Sequence, residues 1–191
     1  MTTTDPLRGV DPLPVTSGRH LAVGPSNVGK TRTTAATLAH WVDEHGTDGV
    51  VVLDFAPTVE RDGELLGGRL DRFYRPPDGC WDGVIDAHAP RSDGRDDEHA
   101  LALARSNAER ARRLLEVAPS PRAVFVNDAT IPAQADGDPS ALLEYCSTAE
   151  LAVCNAFESE ELGTEDEVSR NESAALDALT AWADVRYRLG R

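Results

Sequence analysis

Short, nearly continuous apolar runs alternate along this chain with stretches whose apolar residues recur every three or four positions. The first kind of pattern predicts strands that are buried on both faces, and the second predicts helices with one apolar face. The predicted strands are residues 20–23, 49–54, 84–86, 123–128 and 151–154. The predicted helices occupy residues 31–45, 96–117, 138–147 and the segment from 169 onward. Alternation of this kind predicts an α/β fold of three layers, with a mostly parallel sheet and helices on both faces.

Local signals predict where the helices begin and end. Gly46 is expected to end the first helix, and Pro119 comes just after the second. Asp138-Pro139 indicates an N-cap followed by proline in the first turn. Ser169 and Glu172 have the spacing of a capping box, which predicts that the last helix begins at Ser169.

The length of 191 residues predicts one domain. We expect residues 18–191 to form it, and residues 1–17 to be a flexible tail or an edge element. Two connections, 55–83 and 156–168, are long for a compact domain, and long loops are usually functional or mobile.

The charge of the chain limits its partners. Thirty-three Asp and Glu residues against nineteen Lys and Arg give a net charge of -14, which disfavours nucleic acid or an anionic membrane as the main partner. The sequence has neither an apolar run long enough for a membrane helix nor an apolar N-terminal signal segment. Three scattered cysteines, none in a CxxC pair, favour a reducing compartment. We therefore expect a cytoplasmic protein.

Only one of the nineteen basic residues is lysine, namely Lys30. Low lysine content together with abundant carboxylates is typical of a halophilic protein in a salt-loaded cytoplasm, although a GC-rich genome also favours arginine over lysine. In either case the single lysine stands at a position where its chemistry is informative.

Lys30 belongs to the segment Gly24-Pro-Ser-Asn-Val-Gly-Lys-Thr31, which fits the pattern G-x-x-x-x-G-K-[ST]. A predicted strand precedes it and a predicted helix follows, as this motif requires. Backbone N–H groups of such a loop and the helix N-terminus bind phosphate, the lysine contacts the β- and γ-phosphates, and the Thr31 hydroxyl is placed for Mg²⁺. The expected nucleotide-binding residues here are Gly24, Pro25, Ser26, Asn27, Val28, Gly29, Lys30, Thr31 and Arg32.

This segment resembles the phosphate loop of the P-loop NTPases, which implies a Mg²⁺-dependent nucleotide site. Asp128 follows an apolar strand, as the Walker B aspartate does in that family, and Asp54 is similar to the acidic residue after the second strand of the ParA and dethiobiotin-synthetase group. The resemblance implies Thr31, Asp54 and Asp128 as metal ligands, and Lys30, Asp54 and Asp128 as catalytic residues. For each aspartate the alternative is a carboxylate that caps a turn. Asp86 is a weaker candidate, on its strand-end position alone.

The base is expected to be adenine. The guanine-recognition sequence Asn-Lys-x-Asp is absent, since the chain has no second lysine. Asn155 resembles the strand-end asparagine that recognises adenine in the ParA and dethiobiotin-synthetase group; the alternative is a turn residue. Pro25 stands where the ParA class has a second lysine that reaches across a dimer. The sequence therefore favours ATP and leaves a homodimer open.

The connection 55–83 carries Arg61, Arg69, Arg72 and Arg75 beside the pair Gly67-Gly68. These arginines predict either a lid or acceptor-binding loop, or a solvated loop in which they pair with neighbouring acids. Together with the segments 54–57 and 126–128, this loop also resembles a poorly characterised group of archaeal P-loop proteins, which implies no reaction.

Three functions remain open at this stage. The first is ATP hydrolysis or phosphoryl transfer to a small metabolite, and the second is an ATPase switch whose nucleotide state is recognised by a protein partner. The third is nucleotide binding without turnover. The five histidines lack metal-ligand spacing, Cys146 and Cys154 are expected in the core, and the acidic stretch 158–167 is expected to be a solvated loop, with cation binding as the alternative.

Overall fold

The computed structural model describes residues 6–61, 64–66, 68–158 and 165–190. Within them, six strands form one parallel sheet. The strands are β1 (Gly18–Gly24), β2 (Val50–Asp54), β5 (Trp81–Val84), β6 (Ala123–Asn127), β7 (Leu151–Phe157) and β8 (Val185–Arg188), in the spatial order β5-β2-β6-β7-β1-β8. A separate antiparallel pair consists of β3 (Val59–Arg61) and β4 (Glu64–Leu66).

Helices cover both faces of the sheet, which confirms the predicted three-layer α/β fold. They are α1 (Lys30–His45), α2 (Pro90–Asp93), α3 (Asp97–Val117), α4 (Ser140–Cys146) and α5 (Glu167–Trp182). Alternate residues of each strand point to opposite faces, so Val50 and Val52 pack in the core layer that contains Leu38 of α1. Val51 and Leu53 pack in the other layer. Both layers are buried, which explains the continuous apolar runs of the sequence.

Three strands of the main sheet differ clearly from the prediction. β7 continues to Phe157 rather than ending at Cys154, β5 spans Trp81–Val84 rather than 84–86, and β8 was not predicted at all. β8 pairs only with β1 at the edge of the sheet and is largely exposed, with Val185 41% accessible. An edge strand with the sequence Val-Arg-Tyr-Arg has no continuous apolar run, so the pattern that identified the buried strands could not identify it.

The start of α5 corrects the predicted capping box. The helix begins at Glu167, and its N-cap is Asp166, whose side chain accepts a hydrogen bond from the Ser169 N–H at 2.9 Å. Glu172 accepts a hydrogen bond from Thr130 Oγ1 at 2.9 Å instead. The prediction failed because Asp166, three residues upstream, satisfies the same backbone donor.

Residues 1–17 were expected to be a flexible tail or an edge element; residues 6–17 are described, and residues 1–5 lie outside the described part. Leu13 is only 6% exposed, and its N–H donates to Thr37 Oγ1 of α1 at 3.0 Å. Leu7 and Val15 pack against the same core layer. The segment therefore lies along α1, and burial of its apolar side chains fixes it there.

The two long connections contain more structure than predicted. Within 55–83 lie β3, β4 and a 3-10 turn at Leu70–Arg72; Gly67 is outside the described residues. The connection 156–168 is shortened at both ends by β7 and α5, and residues 159–164 are not described. Cys146 and Cys154 are fully buried, as predicted. Among the described residues, no helix has the length and apolar character needed to cross a membrane.

Candidate functional site

A cavity of about 580 Å³ opens at the carboxyl ends of the central strands, where ligands bind in open parallel sheets. The first turn of α1 and the loop before it form one wall. Asp128, which follows β6, and residues of α2 and α5 also line the cavity. β7 lies between β1 and β6, so the strands that precede the phosphate loop and Asp128 are two strand spacings apart, about 10 Å.

The loop before α1 has the backbone geometry of an anion cradle. Asn27 and Gly29 have positive φ values of 59° and 96°, and the left-handed conformation at Gly29 is one that glycine adopts without a steric penalty. Gly29 is the N-cap of α1, and no side chain caps the helix there. The first turn of α1 lines the cavity, and the positive end of the helix dipole lies there, which favours an anion.

Gly24 is required by the packing of the chain on the strand side of this loop. The Leu189 N–H donates to the Val23 oxygen at 2.8 Å. This contact holds the Leu189 carbonyl so close that a Cβ on Gly24 would lie 2.4 Å from its oxygen. The segment after β8 therefore supports the phosphate loop directly.

Lys30 is held inside the loop by backbone carbonyls. Its Nζ donates to the Gly24 oxygen at 2.9 Å and to the Pro25 oxygen at 2.6 Å, and it lies 5.7 Å from the centre of the Phe157 ring. These contacts place the only lysine of the chain at the wall of the cavity.

Asp128 lines the same cavity and has an unusual backbone conformation and an unusual electrostatic environment. Its φ is 63°, and its N–H donates to Asn155 Oδ1 at 3.0 Å, which holds the residue in that left-handed conformation. Loss of solvation and the nearby negative charge of Glu172 raise the pKa of Asp128 to about 6, against the opposing effect of Lys30. A carboxylate tuned towards neutrality in a cavity is a candidate metal ligand or proton acceptor.

Asn155 does not stand at the end of its strand. It is 1% exposed, and its Nδ2 donates to Thr34 Oγ1 and to Asn127 Oδ1, each at 2.9 Å. Both of its amide hydrogens are therefore used within the protein, and the side chain ties α1 to β6. Recognition of adenine by Asn155 stays a prediction, and it requires this network to open.

Asp54 is placed behind the cavity rather than on its wall. It is 2% exposed and accepts hydrogen bonds from the Leu70 N–H at 2.7 Å, Asn127 Nδ2 at 2.8 Å and the Ala56 N–H at 3.2 Å. Burial raises the pKa of Asp54, although these donors oppose the shift. The geometry shows a residue that anchors the turn at Leu70, and its proposed roles at Mg²⁺ and in catalysis stay predictions.

The other candidates divide between the cavity and the surface. Ser26, Val28, Thr31 and Arg32 line the cavity. The Arg32 side chain also donates to the carbonyls of Pro6 and Arg8 at 2.7 and 2.8 Å. The Asp86 side chain is 95% exposed, away from the cavity. Of the loop arginines, Arg72 lines the cavity, and the side chain of Arg61 is outside the described part.

The residues that line the cavity also include some that the sequence did not indicate as site residues, among them Arg91, Gln134 and Glu172. Glu172 was assigned to a capping box, and Gln134 stands in a stretch with no motif. Arg91 belongs to α2, a helix of four residues that is too short to produce a periodic pattern. These three residues come together through contacts between segments that are distant in the sequence, and a single sequence does not show such contacts.

The residues present fit a magnesium nucleotide. Thr31 and Asp128 line the same cavity as the α1 N-terminus, and Mg²⁺ typically takes one or two protein ligands together with phosphate oxygens and water. Among the described residues, no group of three or more His, Cys, Asp or Glu side chains is arranged to hold a metal. Mg²⁺ would thus be held jointly by the protein and the phosphates.

Comparison with known proteins adds no family. No protein-family model matches this chain, and no curated protein matches it either.

Proposed function

We propose that this protein binds Mg-ATP in the cavity between α1 and β6 and hydrolyses it or transfers its terminal phosphoryl group to a small metabolite. The observation that carries the proposal is that Lys30, Asp128 and the first turn of α1 line one cavity. The resemblance of residues 24–31 to the P-loop NTPase motif supports the same function.

Each group of the protein has a role that follows from its position. The N–H groups at the start of α1 bind phosphate oxygens, and Lys30 exchanges the carbonyls of Gly24 and Pro25 for the β- and γ-phosphates. Thr31 and Asp128 would hold the metal ion, which would neutralise charge that develops on the phosphates. If Asp128 does not bind the metal ion, its raised pKa would instead make it a better proton acceptor than an exposed aspartate.

The choice of adenine rests on the absence of a guanine-recognition sequence and on the resemblance at Asn155, whose side chain is engaged within the protein. A direct comparison of ATP and GTP affinities tests this part of the proposal. Equal affinities would remove the adenine preference and leave the phosphate site intact.

Phosphate release from Mg-ATP in concentrated KCl, with and without a small-molecule cytosolic extract, tests the reaction. The Lys30→Ala variant provides the background rate. Stimulation by the extract indicates phosphoryl transfer to an acceptor, whereas slow release that needs Lys30 and ignores the extract indicates hydrolysis. A rate that Lys30→Ala leaves unchanged would contradict the proposal.

A second candidate is an ATPase switch that a protein partner recognises. The observation that favours it is the joining of α2 to α5 through Arg91 and Glu172 at the cavity wall, because a ligand there would act on both elements. Hydrogen exchange and mass measurement in the apo, ADP and ATP states test it, and the mass also reports nucleotide-dependent dimerisation. Identical exchange patterns and masses in all three states would contradict it.

A further inference from the structure

Arg91 is an arginine at the cavity wall that is already engaged by a carboxylate of the protein. Its Nη1 donates to Glu172 and, at 3.4 Å, to Ser169 Oγ, both on α5. The Arg91 side chain is 18% exposed and that of Glu172 only 6%. The guanidinium therefore lies at the boundary between the interior and the cavity.

Glu172 has other donors that do not depend on Arg91. One of its oxygens accepts from Thr130 Oγ1 at 2.9 Å and from Gln134 Nε2 at 3.3 Å, whereas Arg91 binds the other oxygen. A buried carboxylate is costly without partners. Because two neutral donors remain when Arg91 leaves, Glu172 can release the guanidinium without becoming unpaired.

The backbone around Arg91 is fixed on both sides. Upstream, the buried side chain of Asn107 accepts from the His88 N–H and donates to the His88 carbonyl, both at 2.9 Å. Downstream, Asp93 accepts from the Ala89 N–H at 2.9 Å. The side chain of Arg91 can consequently move by rotamer changes while α2 stays in place.

Arg91 and Lys30 approach the same aromatic ring. The Arg91 guanidinium lies 5.8 Å from the centre of the Phe157 ring, and the Lys30 ammonium lies 5.7 Å from it. Two cations that reach one ring from separate elements define a region of positive charge between the phosphate loop and α5. An anion held by Lys30 would lie within this region.

We propose that Arg91 forms a second anion site in the cavity, where its guanidinium exchanges Glu172 for an oxyanion of the bound ligand. This inference rests on the proposed nucleotide site and deepens it. The oxyanion is either the terminal phosphate of the nucleotide or a phosphate or carboxylate group of an acceptor. In both cases a planar guanidinium supplies paired donors that an ammonium does not.

The test compares Mg²⁺-loaded binding of ADP and a non-hydrolysable ATP analogue to the full chain and three variants. Arg91→Gln removes the proposed contact, and Glu172→Gln weakens the competing ion pair. Arg95→Gln is the matched control, since Arg95 is exposed and does not line the cavity. A parallel titration measures inorganic phosphate binding to the ADP-loaded protein, which detects an acceptor anion.

If the anion is the terminal phosphate, Arg91→Gln weakens the ATP analogue about tenfold or more and ADP by less than about twofold, the loss expected for a charged hydrogen bond. If it belongs to an acceptor, Arg91→Gln lowers phosphate affinity of the ADP-loaded protein instead. In either case Glu172→Gln equals or exceeds the wild-type affinity for that anion, and Arg95→Gln matches the wild type.

Two results would overturn the inference. The first is no loss of anion affinity in either titration, and the second is an equal loss for ADP and the ATP analogue together with a lower melting temperature, which would indicate a structural role for Arg91. Failure of the wild-type protein to bind either nucleotide is a different result, because it removes the proposed function itself and the inference with it.

Discussion

At the scale of single residues, Asp128 is a candidate site residue whose environment lowers the stability of the ligand-free protein. It has a left-handed backbone, lies half-buried in the cavity and has a pKa raised to about 6 by burial and by Glu172. A group whose pKa is higher in the folded than in the unfolded state binds its proton more tightly when folded. Asp128 therefore destabilises the ligand-free protein as the pH rises, fully so above about pH 6.

Asp128→Asn should accordingly stabilise the ligand-free protein by about 1–2 kcal/mol at pH 8. This is less than the free energy that corresponds to the whole pKa shift, because the side chain is partly solvated. The gain should shrink by about half at pH 5, where folded Asp128 is mostly protonated. Urea unfolding at both pH values measures it, with Asp86→Asn as the exposed control. No gain at pH 8, or a gain that grows as the pH falls, would contradict this account of Asp128.

Residues of the site differ in how far the sequence predicts them. Residues 24–31 form a contiguous motif with a stated mechanism, and residues 26–31 of it line the cavity. Asp128 was predicted from its place after a buried strand. Arg91 and Glu172 could not be predicted, because their roles depend on a contact between segments 81 positions apart. Asp54 and Asn155 were predicted from strand-end positions, yet both side chains are engaged in holding neighbouring elements.

At the scale of elements, one buried carboxylate connects the sheet to the loop above it. Asp54 ends β2, and the Leu70 N–H that it binds begins the 3-10 turn carrying Arg72. Asn127 of β6 binds both Asp54 Oδ1 and the Gly68 carbonyl, at 2.8 and 3.1 Å. These hydrogen bonds place Arg72 at the cavity.

Asp54→Ala should release this turn. The substitution removes the carboxylate that accepts from the Leu70 and Ala56 N–H groups. We therefore expect the free energy of unfolding to fall by about 1–3 kcal/mol. We also expect faster hydrogen exchange at Leu70 than at amides of α3. Asp71→Asn, an exposed neighbour, is the control. Unchanged exchange at Leu70 would contradict the anchoring role, and a selective loss of Mg²⁺ dependence with an intact turn would favour the metal role.

The elements that the sequence predicted well are those buried on both faces or long enough to show a period. β2 and β6 were found from their apolar runs, and α3 from its repeating stripe. β8 was not predicted, because it pairs with β1 at the edge of the sheet and its side chains are largely exposed. The sequence did not predict how residues 6–17 pack. The apolar residues of this segment are sparse, and contact with α1 fixes them, which no local sequence pattern indicates.

At the scale of the whole molecule, the excess of acidic residues gives a self-repelling surface. The net charge of -14 lies on a chain of 191 residues, and several of its arginines pair with exposed acids, such as Arg19 with Asp184 at 2.6 Å. Such exposed pairs contribute little individually. Repulsion among the remaining carboxylates opposes the compact state.

Salt should therefore stabilise this protein. The Debye length falls from about 10 Å at 0.1 M to about 3 Å at 1 M ionic strength, which screens the repulsion between surface carboxylates. We expect the melting temperature to rise as KCl increases across this range, and calorimetry measures it. A melting temperature that falls with KCl would show that attractive ion pairs outweigh the repulsion.

The central claim is that residues 24–31 and Asp128 form one nucleotide site. Equilibrium titration of Mg-ATP into the wild-type chain and Lys30→Ala, with Arg95→Gln as control, tests it most directly. We predict saturable binding of one nucleotide per chain, unchanged in Arg95→Gln and at least about tenfold weaker in Lys30→Ala, because the lysine contacts the phosphates as a charged donor. Equal affinity in the wild type and Lys30→Ala, or no binding to the wild-type chain, would contradict the claim.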